Sequence, residues 1–192
     1  MPQIKRFYEN IPKEWKARKA KGSPNFAKTL SVEYLVKENR RVFAEGSIDK
    51  QNERIELNLY DKNRNSLGSF SARRMHGGIW EIPNRFVDYH HRRLNLGKIC
   101  FRLMELQIRK MKGEEIFVKT DQRPVIITIL GLGWKVDANS GGGFKSALGL
   151  RKSDRLPDAK AIKEILLLKK DEELPESMRF RRDLRLKATN QP

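Results

Sequence analysis

The sequence predicts an α/β (α+β) fold, and three observations carry the prediction. The runs RVFAEGSID, RIELNLYD and SLGSFSARR are short, rich in alternating apolar residues, and set apart by KQNE and KNRNS at hairpin spacing. Next, HGGIWEIPNRFVDY reads as a strand that enters a short basic turn and then a long amphipathic helix ending near Gly113. Beyond that helix, EEIFVKT reads as a buried strand.

In chain order, residues 1–30 form a basic N-terminal extension, with Lys5, Arg6, Lys13, Lys16, Arg18, Lys19, Lys21 and Lys28 set against Glu9 and Glu14. Phe7, Tyr8 and Trp15 are interleaved. Aromatic residues among cations suit stacking and phosphate contact on single-stranded RNA, whereas a peripheral helix over IPKEWKARKAKG would dock Trp15 and leave the lysines in water. No RNA-binding signature accompanies the segment, which favours the helix. A domain follows over residues 31–171. Its opening, SVEYLVKENR, fits the helical and strand periods equally poorly, and both remain open. In RIELNLYD, Ile55, Leu57 and Leu59 alternate with Glu56, Asn58 and Tyr60, which buries one face. Pro83 cannot donate to a ladder, so the strand containing it is irregular there.

On the helix, Lys98, Arg102, Glu105, Arg109 and Lys112 share a polar face, while Cys100, Leu103, Met104, Ile108 and Met111 share the opposite, apolar one. Gly113 is placed to end it in the left-handed conformation. The basic turn RRLNLGK at its start offers unpartnered N–H groups and flanking cations to an anion, although such a turn can also be simply solvated. Pro124 opens a short helix running to about Leu132. Residues 138–160 read as a long loop, AIKEILLLKK as a closing strand, and residues 172–192 as a basic C-terminal tail whose Arg179, Arg181, Arg182, Arg185 and Lys187 are peripheral.

Composition narrows the classes. Lys and Arg total 41 against 24 Asp and Glu, a net charge of +17, which favours nucleic acid, acidic proteins or phosphorylated ligands as partners. The single cysteine, Cys100, excludes an internal disulfide and suits a reducing compartment. No apolar run approaches the roughly 18 residues of a membrane span and no apolar leader follows the first charges, so a soluble, cytoplasmic protein is expected. His76, His90 and His91 show no metal-ligand spacing with that cysteine, so no metal is expected. GSPNF and NSGGGF lack the lysine and hydroxyl of a nucleotide-hydrolysing loop.

The strand, basic turn and helix resemble the GCN5-related N-acetyltransferase (GNAT) family, whose acetyl-CoA turn reads Arg/Gln-x-x-Gly-x-Gly/Ala. Arg92 matches the first position and Gly97 the last, and Asn95 stands where the middle glycine is expected. Asn tolerates left-handed geometry best after glycine. IFVKT, PVIITILGLGW and its LGW resemble the family's next strand, next helix and the Leu-Gly-Phe before its penultimate strand. The likeness covers roughly residues 40–137.

The resemblance implies a mixed, mostly antiparallel sheet flanked by helices. It also implies acetyl-CoA as co-substrate, held by the N–H groups of Leu94, Asn95, Leu96, Gly97 and Lys98 with charge from Arg92 and Arg93. The backbone of Phe86 and Val87 would pair with pantetheine where the strand splays, and Gln122 would offer an amide. Glu81 falls where several members carry a catalytic glutamate; a solvent-facing, ion-paired glutamate is the alternative. The family's tyrosine acid falls on Ile129, which cannot donate a proton.

Two functions follow. One is an acetyl-CoA-dependent N-acetyltransferase acting on an unidentified amine. The other is a catalytically weakened or inactive module that binds nucleic acid or a ribonucleoprotein through its basic surface. The positive field disfavours a polyamine or lysine-rich acceptor and favours an acidic protein or nucleic-acid-bound substrate.

Overall fold

Apolar residues at every second position build the first strands of the sheet, and aspartates close their turns. The structure, a computed structural model, describes residues 18–19, 26–35, 40–137, 145–146, 148–151, 153–168 and 173–185. Two units are distinguished: Met1–Arg73 with Asn84–Leu96, and Arg74–Pro83 with Gly97–Pro192.

The first unit is an antiparallel meander of β1 (Arg18–Lys19), β2 (Phe26–Leu35), β3 (Arg41–Asp49), β4 (Arg54–Tyr60) and β5 (Ser66–Arg74). The three expected strands are present, and the open segment resolves as strand as far as Leu35, where Ser31–Leu35 pairs with β3; residues 36–39 lie outside the described residues. Val42, Ala44, Ile48, Ile55, Leu57, Leu59, Phe70 and Ala72 are buried, while Glu45, Ser47, Glu56 and Asn58 alternate with them on the wetter face. Asp49 closes the first described turn by accepting from Gln51 N and Asn52 N, and Asp61 closes the next by accepting from Asn63 N and Asn65 N. Arg18 and Lys19 lie in a strand, so a peripheral helix does not extend over them. Residues 1–17, Trp15 included, lie outside the described residues.

Strand β6 (Ile79–Val87) is divided between the units after Pro83. Its end belongs with β5. Asp88 N donates to Leu67 O at 2.9 Å, and Asn84 Nδ2 donates to Ser71 Oγ at 3.2 Å. Gly68 permits this approach, because a Cβ there would stand 2.6 Å from the Phe86 carbonyl oxygen.

The second unit contains α1 (Leu96–Lys110), β7 (Glu115–Gln122), α2 (Arg123–Leu130), β8 (Lys135–Val136), α3 (Ala159–Leu168) and β9 (Glu173–Asp183). Ile79–Glu81 of β6 runs parallel to Glu115–Phe117, and β9 lies antiparallel between β7 and β8. The chain is thus a mixed, mostly antiparallel sheet flanked by helices, as expected. Cys100, Leu103, Met104 and Ile108 of α1 are buried, as are Trp80, Ile116, Val118, Ile129 and Phe180. Phe101 meets Trp134 edge to face with centroids 5.6 Å apart.

Four expectations are corrected. The AIKEILLLKK segment forms a helix as far as Leu168, not a closing strand. Its apolar run hides an i, i+4 pair, Ile162 and Leu166, which is what the helix buries, and Asp158 caps it by accepting from Ala161 N at 2.8 Å. The closing strand is β9, inside the segment read as a peripheral tail. Met178 and Phe180 alternate there with Arg179 and Arg181, a two-residue period that the dense positive charge disguises. Gly113 does not have a positive φ; Lys112 does, at 57°. Gly113 is needed for space instead, since a Cβ would overlap Ile108 and approach Trp80 Cδ1 to 2.7 Å. Finally, Glu105 is buried rather than part of a wet polar face.

Residues 138–144 of the expected loop lie outside the described residues. Among the described residues, no helix is long and apolar enough to cross a membrane, and no group of three or more His, Cys, Asp or Glu could hold a metal ion.

Candidate active site

Asp88 begins the turn. Its carboxylate accepts from His90 N at 2.9 Å and from His91 Nδ1 at 3.1 Å, which starts a 3₁₀ segment over Tyr89–Leu94. The hydrogen bond from His91, then that from His90 N, holds this carboxyl below the usual aspartate range. Arg92 and Arg93 lie within the segment, with Leu94 buried at its end.

Asn95 then takes the left-handed conformation, φ 61° and ψ 21°. That is the geometry expected at the position of the missing glycine, and it hands the chain from the 3₁₀ segment into α1. Leu96, Gly97 and Lys98 form the first turn of α1, where N–H groups lack intrahelical acceptors and the helix dipole is positive. Gly97 is not at positive φ, and a Cβ on it would meet nothing within 4 Å. Room for a side chain is therefore open beside the Gly97 Cα. The Lys98 ammonium is held below the ordinary lysine range by partial burial, then by the nearby charges of Arg102 and Lys163. An anion would offset the two like charges.

On β6, Glu81 is half-buried and in register with Phe117, so the two share one face of the sheet, opposite that of the buried Trp80 and Ile82. Phe117 carries the Arg179 guanidinium 3.9 Å from its ring centroid. Phe86 and Val87 differ. The Asp88 N to Leu67 O bond and the Phe86 carbonyl against Gly68 turn the main chain of Phe86 toward β5, and by strand alternation that of Val87 points away from it. Gln122 is exposed and occupies the N-cap of α2 in extended geometry, without a side-chain capping bond. Ile129 is completely buried in α2, so the side chain at the acid's position is sealed in the core.

Sequence reasoning missed Asp88 as the organiser of the turn, although Asp-x-His is an Asx-turn spacing.

No family model matches the chain, and no curated protein matches it. Solved structures do. A Klebsiella pneumoniae protein assigned as an acyl-CoA N-acyltransferase is 15% identical, with 70% of this chain and 74% of that chain covered and a TM-score of 0.49. An aminoglycoside 6'-acetyltransferase type Ii is 17% identical over 73% and 72%, with a TM-score of 0.45. A Bacillus subtilis acetyltransferase in complex with CoA is 11% identical over 68% and 77%, with a TM-score of 0.47. The chain's own topology has a strand, a left-handed turn, a helix, a parallel strand and a short helix in sequence, then antiparallel closure by β9. In fold, the chain is GNAT-like. Within that GNAT-like frame, α3 stands between β8 and β9 in chain order.

Proposed function

We propose that this chain binds acetyl-CoA and transfers its acetyl group to an amine. The observation that carries the reading is the left-handed Asn95 delivering the chain into the head of α1, with room left beside the Gly97 Cα. The N–H groups of Leu96, Gly97 and Lys98 take the diphosphate, with Leu94 and Asn95 completing the turn and Arg92 and Arg93 adding charge. Val87, whose main chain points away from β5, pairs with pantetheine more readily than Phe86 does. Gln122 offers its amide at the head of α2.

In the reaction, the acceptor ammonium gives a proton to Glu81 and the neutral amine attacks the thioester carbon. The C–N bond forms, the C–S bond breaks as the tetrahedral intermediate collapses, and the nitrogen loses its second proton to water. The departing thiolate takes a proton from water in turn, because Ile129 supplies no acid. The N-acetyl product and coenzyme A then leave.

A second reading is favoured by the burial of Ile129: a weakened or inactive module that binds nucleic acid through its cationic surface. The two are separable. Under the first reading, acetyl-CoA at millimolar concentration raises the melting temperature, Gly97→Glu abolishes the rise, and thiol release is seen with some amine. Absence of a shift would overturn that reading. The second predicts affinity for RNA or DNA that falls steeply with salt, and salt-insensitive or absent binding would remove it.

A further inference from the structure

Strands β7, β9 and β8 are neighbours in that order, and their two faces differ. Ile116, Val118, Met178 and Phe180 are buried on one, the face of Trp80 and Ile82 of β6. The residues between them belong to the other. Strand register sets these in transverse rows. In one row Glu81 of β6 partners Phe117, Phe117 partners Arg181, and Arg181 partners Lys135. In the next row Lys119 partners Arg179, and Asp137 N donates to the Arg179 carbonyl at 2.9 Å. Directly opposed residues share a face. Lys119, Lys135 and Arg181 are exposed, and Phe117 and Arg179 are half-buried.

Four cations thus stand on one wet stretch of sheet, about 10 Å across its three strands. The carboxylates around it are engaged or lie at its borders. Asp137 Oδ2 is 3.5 Å from Arg179 Nε. Asp183, opposite Glu115 in the row beyond Phe117, accepts from Arg185. Asp121 lies at the other end of β7, beside the register shift after Thr120, and Glu81 closes the Phe117 row on β6.

One of the four cations is held in a particular way. The Arg179 guanidinium stands 3.9 Å from the Phe117 ring centroid, with Asp137 at its Nε. An arginine plane fixed over a ring is a platform on which an unpaired base stacks, and cations beside it suit the phosphates on either side of that base. An acidic polypeptide would use the charges and leave the platform idle. A duplex would offer phosphates while keeping its bases stacked within itself.

We propose that this face of β7, β9 and β8 binds single-stranded nucleic acid, with phosphates on Lys119, Lys135 and Arg181 and a base on Arg179 backed by Phe117. The inference rests on the nucleic-acid reading above, gives it a site, and holds with or without acetyl transfer. Because Glu81 closes the Phe117 row, a strand on this face lies alongside the residue proposed as the base.

The test is fluorescence anisotropy of the full chain with a labelled single-stranded RNA of about 12 nucleotides, a length such surfaces span, over a salt series. The double variant Lys135→Ala, Arg181→Ala binds about tenfold more weakly at low salt, and its log–log salt slope is shallower by about 1.4, roughly 0.7 for each cation removed. Both residues are exposed, so the core is untouched. Arg179→Lys keeps the charge and loses the plane: the slope stays, single-strand affinity falls about fivefold or more, and affinity for the matching duplex does not change. Lys50→Ala and Lys160→Ala, exposed cations on the β3–β4 turn and on α3, stay within about twofold of wild type. Wild-type affinity in the double variant overturns the face while leaving nucleic-acid binding in place. An unaffected Arg179→Lys, or a duplex bound as tightly as the single strand, overturns the stacked base. Displacement of the RNA by poly-L-glutamate at equal charge assigns the face to acidic polypeptides instead and overturns the proposal. No RNA binding by the wild type at low salt overturns both the face and the reading it rests on.

Discussion

Trp134 donates its indole N–H to Glu105 at 2.9 Å inside the second unit, tying α1 to the segment that follows α2. The same carboxylate takes Arg102 through its other oxygen, and Arg182 approaches to 4.0 Å while giving Nη1 to the carbonyls of Leu132 and Gly133. One buried acid thus organises α1, the turn after α2, and β9.

Removing that acid should therefore be costly. Glu105→Ala leaves the indole N–H without its acceptor and removes the carboxylate from beside Arg102 and Arg182, and the loss expected for breaking such a buried arrangement is about 3 kcal/mol. Glu105→Gln keeps an acceptor for the indole and should lose less. Urea unfolding of the three proteins measures the order, and an alanine variant as stable as wild type would refute it.

Gly113→Ala should destabilise through overlap rather than through backbone conformation, since the added methyl overlaps Ile108 and sits 2.7 Å from Trp80 Cδ1. A penalty of roughly 1–3 kcal/mol is expected for such overpacking. Gly97→Ala meets nothing within 4 Å and should leave melting unchanged or slightly raised. Melting curves of the pair, measured without ligand, distinguish steric need from spare room.

At Asn95 the requirement is conformational. With φ at 61°, Asn95→Gly should be close to neutral, whereas Asn95→Val should cost roughly 1–2 kcal/mol. If valine is tolerated as well as glycine, the left-handed hand-off into α1 does not control the turn.

Asp88 sets an acid limit. Its folded-state pKa lies below the ordinary value of 3.8, first through His91 and then through His90 N, so the folded protein binds fewer protons there than the unfolded chain. The contribution is fully present above about pH 4 and is lost as the pH falls through the folded value. Asp88→Asn should melt lower than wild type at neutral pH, with the gap narrowing below pH 3.8. A gap that stays constant down to pH 2.5, roughly one unit below that value, would exclude the carboxylate as its source.

The parts of the fold legible in the sequence are those where periodicity and turn chemistry agree. Ile55, Leu57 and Leu59 alternate cleanly and lie in β4; KQNE supplies a turn where Asp49 can accept from the following N–H groups. The left-handed role of Asn95 was legible because few residue types tolerate that geometry. The strand of Phe180 and Met178 was not, because arginines on both faces mask the alternation, and Arg182 points inward only because two carbonyls receive it. Four apolar residues, Ile165 to Leu168, imitate a strand in α3, and only the tertiary burial of Ile162 and Leu166 decides for helix. At the candidate site, order and spacing pointed to the turn before α1, whereas the Asp88 carboxylate that starts its 3₁₀ segment went unread because its partners, His90 N and His91 Nδ1, come together only once the turn forms.

The burial of Trp80 and Trp134 has an optical consequence. Tryptophan occurs at positions 15, 80 and 134, so within the described residues every indole belongs to the second unit. Intrinsic emission from those two rings will follow melting of the α1 and β9 half, while the described residues of the meander, Tyr34 and Tyr60 among them, include no tryptophan. With Trp15 replaced by phenylalanine, a tryptophan introduced at Phe43, on the wetter face of β3, would report on that half and show whether the two halves unfold together.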